Sequence, residues 1–280
     1  MSWIELNNFS PDGLAEARKQ MHQVAQLPAI AGRCLNPKSQ EDNFAALFYD
    51  KNNHRLISQS LGESGFRTAL DISYFKLAII NENEESLTSL SLDSITYDEA
   101  FYWLADKLLQ LGFDANKLNK NLPYQIPEYP TSKGVPFKYT NPVDFVVLQK
   151  YFFNAAFLLE NTRKKENVIS PVLCWPHHFD TAALITIERN SNPEKSKTIG
   201  VGLSPGDGSY NEPYFYISPW PYPDDKEKLP NLNHGHWHNQ GWFGGVLTAS
   251  DIIKKKNKHE QLKIAKNFIE SGIYNLKQLL

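Results

Sequence analysis

The spacing of the strand-like segments in the first third of the chain is the feature that most restricts its fold. Five runs typical of strands follow one another closely, at residues 44–49, 55–59, 68–71, 75–80 and 87–92. No more than eight residues separate consecutive runs, whereas a crossover between parallel strands needs about a dozen or more. The strands are therefore predicted to pair antiparallel, which argues against a doubly wound sheet.

Helical patterns begin near residues 11, 96 and 141, and a last helix bears Leu262, Ala265 and Ile269. In the first helix, Pro28 is expected to end or kink the chain, because proline lacks a backbone donor. The second helix opens on a predicted capping box in which Thr96 is the cap and Glu99 stands three residues on. Asn141 is the predicted N-cap of the third helix, and Pro142 suits its first position because the φ of proline is fixed near the helical value.

The second part of the chain repeats the order of the first. Further strands are predicted at residues 172–174, 178–187, 198–203, 214–218 and 242–248. We therefore predict an α+β fold of two similar helix–antiparallel-sheet–helix halves packed together, and the repeated order suggests an internal duplication. The halves are assigned to residues 1–114 and 142–280, joined by a Pro-rich connection over residues 115–141.

Composition places the chain in a broad class. Of its 280 residues, 41% are hydrophobic and 12% aromatic, which predicts a buried core. The net charge of −2 argues against nucleic acid as the main partner. No apolar run is long enough to span a membrane, and no secretory signal is visible. Two cysteines fit a reducing compartment, so a cytoplasmic location is expected.

Histidine and tryptophan are concentrated in one quarter of the chain. Five of the eight histidines and four of the six tryptophans fall between residues 175 and 242. Either a functional pocket or an aromatic core is expected in this window.

The first candidate site lies at residues 174–180. If a strand begins near Pro176, alternation places His178 and Asp180 on one face, where they could bind a metal or form a proton-transfer pair. The alternative is that Asp180 accepts a bond from a nearby backbone amide. Along an extended strand, Cys174 would lie about 13 Å from His178, which is too far for a nucleophile paired directly with His178 as its base. Cys174 is therefore predicted to be a buried structural thiol.

The second candidate site is the segment 233–238, in which His234, His236 and His238 alternate with Gly235 and Trp237. In an extended backbone the three imidazoles share one face and Trp237 takes the other. Such spacing suits zinc, iron or copper. A polar surface loop is the alternative, since glycine and asparagine flank the histidines.

Residues 204–208 read Ser-Pro-Gly-Asp-Gly, which is typical of a hairpin turn. Asp207 and Glu212 remain candidate second carboxylates for a site.

The aromatic strand that follows has Tyr214 and Tyr216 on one face and Phe215 and Ile217 on the other. Together with Trp220, the tyrosine face could line a binding site for an organic ligand. Packing in the core, or protection of an exposed sheet edge, explains this aromatic strand equally well.

Four short motifs resemble those of the bacterial family classed as domain of unknown function 5996. They are residues 21–26 with 31–35, residues 123–127, residues 170–175 with 179–182, and residues 211–216. The resemblance spans most of the chain and implies a soluble bacterial protein without an established activity. It supplies no catalytic residue.

Two functional hypotheses remain open. In the first, the C-terminal half binds a small organic ligand in an aromatic- and His-rich cleft walled by Trp175, Tyr214, Tyr216, Trp220 and Trp237. The alternative is a metal-dependent enzyme of the hydrolase or oxygenase type that uses zinc or iron. Its candidate ligands are His178, Asp180, His234, His236 and His238, and its candidate catalytic residues are His178, Asp180 and Glu212.

Overall fold

The computed structural model describes residues 2–7, 9–37, 43–223 and 229–280. Helices and two antiparallel sheets confirm the α+β class. The chain divides into two compact units that interleave along the sequence. The first unit comprises Phe9–Gln149 and Leu173–Phe179, and the second comprises Met1–Asn8, Lys150–Val172 and Asp180–Leu280. This partition differs from the consecutive halves of the sequence analysis, and the internal duplication stays a prediction.

The first unit contains an antiparallel meander in the order β1-β2-β3-β4-β5. Its strands are β1 (Phe48–Asp50), β2 (Arg55–Ile57), β3 (Arg67–Asp71), β4 (Lys76–Ile80) and β5 (Ser86–Ser91), with the short β6 (Leu173–Trp175). Its helices are α1 (Pro11–Leu35) and α2 (Tyr97–Gln110), and α3 (Pro142–Arg163) begins in it. Short 3-10 turns lie at Asn43–Ala45, Ala115–Lys117 and Pro130–Lys133.

The capping box at the start of α2 is confirmed in both directions. The Thr96 hydroxyl accepts a hydrogen bond from the Glu99 amide, and the Glu99 carboxylate accepts one from the Thr96 amide at 2.7 Å. Phe101, Leu104 and Leu108 of this helix lie in the core.

Pro28 does not end α1, which continues to Leu35, so this part of the prediction is wrong. A proline inside a helix costs about 3 kcal/mol through a lost hydrogen bond and a ring clash. Around Pro28 every residue from 21 to 32 is buried, and Val24, Leu27 and Ile30 are fully inaccessible. That burial offsets the cost of the proline.

The first predicted strand, at residues 44–49, is mostly displaced. Residues 43–45 form a 3-10 turn, in which Ala46 N–H bonds to the Asn43 carbonyl at 3.2 Å. Leu47 then exchanges two backbone hydrogen bonds with Cys174. This bridge fixes Cys174 in the first unit, where it is buried as predicted.

The second unit contains five strands paired antiparallel in the order β10-β11-β9-β8-β7. They are β7 (Asp180–Glu188), β8 (Lys197–Ser204), β9 (Tyr214–Trp220), β10 (His236–His238) and β11 (Gly244–Thr248). The unit also holds the end of α3, a 3-10 turn at Pro193–Lys195, and helices α4 (Ala249–Ile253) and α5 (Lys258–Leu279). No helix within the described ranges is long and apolar enough to cross a membrane.

The N-terminal segment belongs to the second unit because two buried amides hold it there. Asn154 accepts from the Ile4 amide and donates to the Ile4 carbonyl, both at 2.8 Å. Gln261 repeats this pattern with the backbone of Leu6 at 2.9 and 2.7 Å. Paired backbone donors and acceptors allow this segment to be buried without the cost of unmade hydrogen bonds.

We expect Gly32→Ala to destabilise the protein by about 1–3 kcal/mol, although alanine favours helices. A Cβ at Gly32 would lie 2.1 Å from the backbone oxygen of Phe44, which cannot rotate away. Urea denaturation measures the effect. Glu16→Ala on the exposed side of α1 is the control and should change stability by less than about 0.5 kcal/mol. Equal stability of the two variants would contradict the close approach of α1 to residue 44.

Candidate functional site

The register of β9 places two tyrosines on one face of the second sheet. Phe215 and Ile217 are fully buried on the opposite face, which confirms the predicted alternation of Tyr214 and Tyr216. Tyr216 pairs with Gly202 on β8, and its ring lies over that glycine. A side chain at Gly202 would meet the ring at 2.6 Å. The absence of a side chain there therefore decides where the ring lies.

The Tyr216 hydroxyl donates a hydrogen bond of 2.5 Å to Asp180, the first residue of β7. Asp180 is only 8% exposed. Burial, and then the charge of Asp180, raises the pKa of Tyr216 well above its usual value. The phenol therefore stays protonated and acts as a fixed donor to the carboxylate.

The hairpin predicted at residues 204–208 is confirmed and holds a second tyrosine–carboxylate pair. Asp207 accepts from the backbone amides of Ser209 and Tyr210 at 2.7 and 3.1 Å. It also accepts from the Tyr214 hydroxyl at 2.5 Å. Burial and this bond raise the pKa of Tyr214. Asp207 therefore orders the turn and orients Tyr214.

Tyr210 bridges the two histidines of β10. Its hydroxyl lies 2.9 Å from His236 Nε2 and 3.0 Å from His238 Nδ1. His238 Nε2 lies 2.7 Å from the Gln240 carbonyl, which can only accept, so this nitrogen carries the proton. In its neutral form His238 then accepts at Nδ1 from Tyr210, and His236 donates from Nε2 to the Tyr210 oxygen. The hydrogen bonds thus assign one tautomer to each imidazole.

Trp242 completes a group of contacting rings. Its ring lies 4.5 Å from His238 and 6.2 Å from Tyr214, between centroids, and Tyr210 lies 4.9 Å from Tyr214. We call the whole group the tyrosine–histidine cluster; it consists of Tyr210, Tyr214, Tyr216, His236, His238 and Trp242. No periodic pattern in the sequence marks Tyr210 as a site residue, because it follows a turn.

Two of the aromatic residues that were predicted to line a ligand cleft make other contacts. Trp220 is 42% exposed, and its indole N–H donates to the Glu194 carbonyl at 2.9 Å. Trp237 lies opposite His236 and His238, as alternation predicts, and stacks on Phe243 at 5.5 Å. Neither ring contributes to the tyrosine–histidine cluster.

The predicted strand over residues 178–187 begins too early, which corrects the first candidate site. Residues 176–179 form a turn, in which the amides of His178 and Phe179 both bond to the Trp175 carbonyl. Phe179 has a φ of 56°, which interrupts an extended backbone. The alternation that placed His178 and Asp180 on one face therefore does not apply. In the first unit, His178 is exposed beside His177, whose ring contacts Trp175.

The candidate metal ligands are distributed over several environments. His236 and His238 both contact Tyr210, whereas His234 precedes Gly235, whose φ is 76°, and lines a polar cavity together with His236. Within the described part of the chain, no three His, Cys, Asp or Glu side chains are grouped so that they could hold a metal ion. Glu212 accepts a 2.6 Å hydrogen bond from the Ser250 amide near the start of α4.

The first unit contains a buried polar network that the sequence analysis did not single out as a site. His22, which is 5% exposed, bonds through Nδ1 to the Tyr129 hydroxyl and through Nε2 to the Pro176 carbonyl. Gln26 donates to the same carbonyl and accepts from Tyr124. Three of these residues occur in the motifs on which the family resemblance was based, but only the fold brings them together.

Burial lowers the pKa of His22 to about 4. Because Pro176 can only accept, Nε2 carries the proton and Nδ1 accepts from Tyr129. A neutral imidazole therefore satisfies every partner, which indicates a structural role.

Comparison of the chain with protein-family models, with curated proteins and with solved structures gives no match. The resemblance to the domain of unknown function 5996 family stays a prediction from the sequence motifs.

We expect the stability of the protein to fall as the pH drops, through His22. The pKa of about 4 in the folded state lies below the ordinary 6.5, so the unfolded state binds the extra proton between these values. This linkage removes about 2 kcal/mol on going from about pH 7.5 to about pH 5. Urea denaturation at the two pH values should show a smaller drop for His22→Gln than for the wild type. The exposed His259→Gln is the control, and an equal drop in all three proteins would contradict the assignment.

We expect Gly202→Ala to cost about 1–3 kcal/mol, because the new Cβ must displace the Tyr216 ring and its bond to Asp180. Gly208→Ala in the neighbouring hairpin is a matched control, since a Cβ there meets no atom within 4 Å. Urea denaturation of both variants checks this. A stability loss as large in Gly208→Ala would show that backbone effects, rather than the ring, limit these glycines.

Proposed function

We propose that the chain binds a small organic ligand at the tyrosine–histidine cluster. The observation that carries the proposal is the Tyr210 hydroxyl, held between His236 and His238 by two hydrogen bonds of 2.9 and 3.0 Å. Such a network fixes the positions and tautomers of three polar groups in advance of binding, which lowers the entropy cost of recognition.

The burial of the cluster supports a binding role over a purely structural one. Tyr214 is 4% exposed and is tied to Asp207. His236, by contrast, is exposed, and Tyr210 and Trp242 are half-buried. The cluster therefore has a buried, hydrogen-bonded base and ring surfaces that solvent reaches. Binding sites commonly combine aromatic walls with a few fixed polar groups.

The chemistry of the exposed groups suggests the ligand class. The rings of Trp242 and His238 lie 4.5 Å apart and provide aromatic surface on which a flat molecule can stack. In the assigned tautomer, Nδ1 of His236 is an acceptor. We therefore propose a planar, aromatic or heteroaromatic ligand with an N–H or O–H donor.

The test is ligand-observed NMR with a set of small heteroaromatic compounds. Tyr210→Phe keeps the ring but removes the hydroxyl that orders both imidazoles, and it should weaken the binding of any hit about 2- to 10-fold. Tyr274→Phe on α5 is the matched control, because Tyr274 is 67% exposed and lies outside the cluster. Its affinity should equal that of the wild type.

Two results would contradict the proposal. One is the absence of any hit on the wild-type protein. The other is an affinity that remains unchanged in both Tyr210→Phe and Trp242→Ala, because binding would then occur elsewhere on the chain.

A further inference from the structure

A polar cavity in the second unit lies next to the tyrosine–histidine cluster, and most of its lining residues lie outside the cluster. Its volume is about 310 Å³, which corresponds to roughly ten water molecules in the liquid. The side chains around it that carry polar or charged groups are His234, His236, Asp251, Lys254 and Lys255. His236 is the single residue that it shares with the cluster.

Gly235 fixes the two histidines at this cavity. Its φ is 76°, a backbone conformation that residues other than glycine rarely adopt. A Cβ at this position would lie 2.1 Å from the backbone oxygen of Val246 on β11. The close approach of the two backbones therefore fixes the backbone positions of the neighbouring His234 and His236, whose side chains both line the cavity.

The charge of the lining is positive. Lys254 pairs with Asp251 at 2.7 Å, so one ammonium group is balanced by a carboxylate. Lys255 forms no ion pair with any residue that the structure describes. Glu212 does not line the cavity; its carboxylate accepts a hydrogen bond from the Ser250 amide and also acts electrostatically on Lys254. Among the lining residues two ammonium groups therefore stand against one carboxylate, which leaves a formal excess of one positive charge beside two imidazoles.

We propose that this cavity binds an oxyanion, of the phosphate type, that is part of a small molecule. The Lys255 ammonium group and an N–H group of His234 are donors that recognise such anions, whereas the N–H of His236 is already bonded to Tyr210. Charge-assisted hydrogen bonds are the stronger kind. The volume exceeds what one phosphate group fills, which leaves room for a second anionic group. This proposal goes beyond the proposed function, because it concerns a different ligand group at a different surface.

The experiment is calorimetric titration of the full chain with pyrophosphate at constant ionic strength. Lys255→Gln should weaken binding about tenfold, because it removes a charge-assisted hydrogen bond. Lys256→Gln is the matched control: it removes the same charge from the adjacent exposed residue, which does not line the cavity, and should change affinity less than about twofold. His234→Gln gives a second measurement at another lining residue and should also weaken binding. Circular dichroism confirms that each variant is folded.

Separate titrations with inorganic phosphate and with acetate distinguish phosphate-type anions from simple carboxylates. Tighter binding of pyrophosphate and phosphate than of acetate supports the proposal, and the reverse order overturns it. No binding of pyrophosphate to the wild type, or an equal loss in Lys255→Gln and Lys256→Gln, also overturns it. Pyrophosphate has no aromatic ring, so this result is independent of whether heteroaromatic compounds bind the cluster.

Discussion

The packing of the Tyr216 ring over Gly202 is the constraint on which the polar face of the second sheet depends. Because β8 has no side chain at that point, the ring crosses the strand and its hydroxyl reaches Asp180. Strands β7 and β9 each pair with β8, and this side-chain hydrogen bond joins them to one another across it. Tyr214 and Trp242 then pack beside Tyr216, and the remaining rings of the cluster build on them.

Each unit contains a polar network, but the two networks have different physical consequences. In the first unit, His22 is buried and neutral, and protein groups occupy both ring nitrogens. Such a network stabilises the fold and leaves no donor for a ligand. In the second unit, Tyr210 is half-buried and His236 is exposed. The same kinds of groups there remain accessible, which is why we assign ligand binding to that unit.

Local patterns predicted those features that depend on neighbours in the sequence. The capping box at Thr96, the hairpin turn near Asp207 and the shared face of Tyr214 and Tyr216 are all confirmed. Predictions failed where the backbone departs from a regular period. The positive φ of Phe179 ends the alternation that linked His178 to Asp180, and no pattern in the sequence marks a positive φ at a phenylalanine.

The sequence by itself determined the α+β class and the enrichment of histidine and aromatic residues in one window, because both follow from short-range spacing and composition. Only the tertiary structure decided which of these residues meet. Tyr210 joins His236 and His238 because the turn after β8 brings it to β10, 26 residues farther along the chain. Lys255 reaches the cavity through the segment between α4 and α5. Such contacts depend on strand pairing and helix packing over long separations, which local periodicity does not encode.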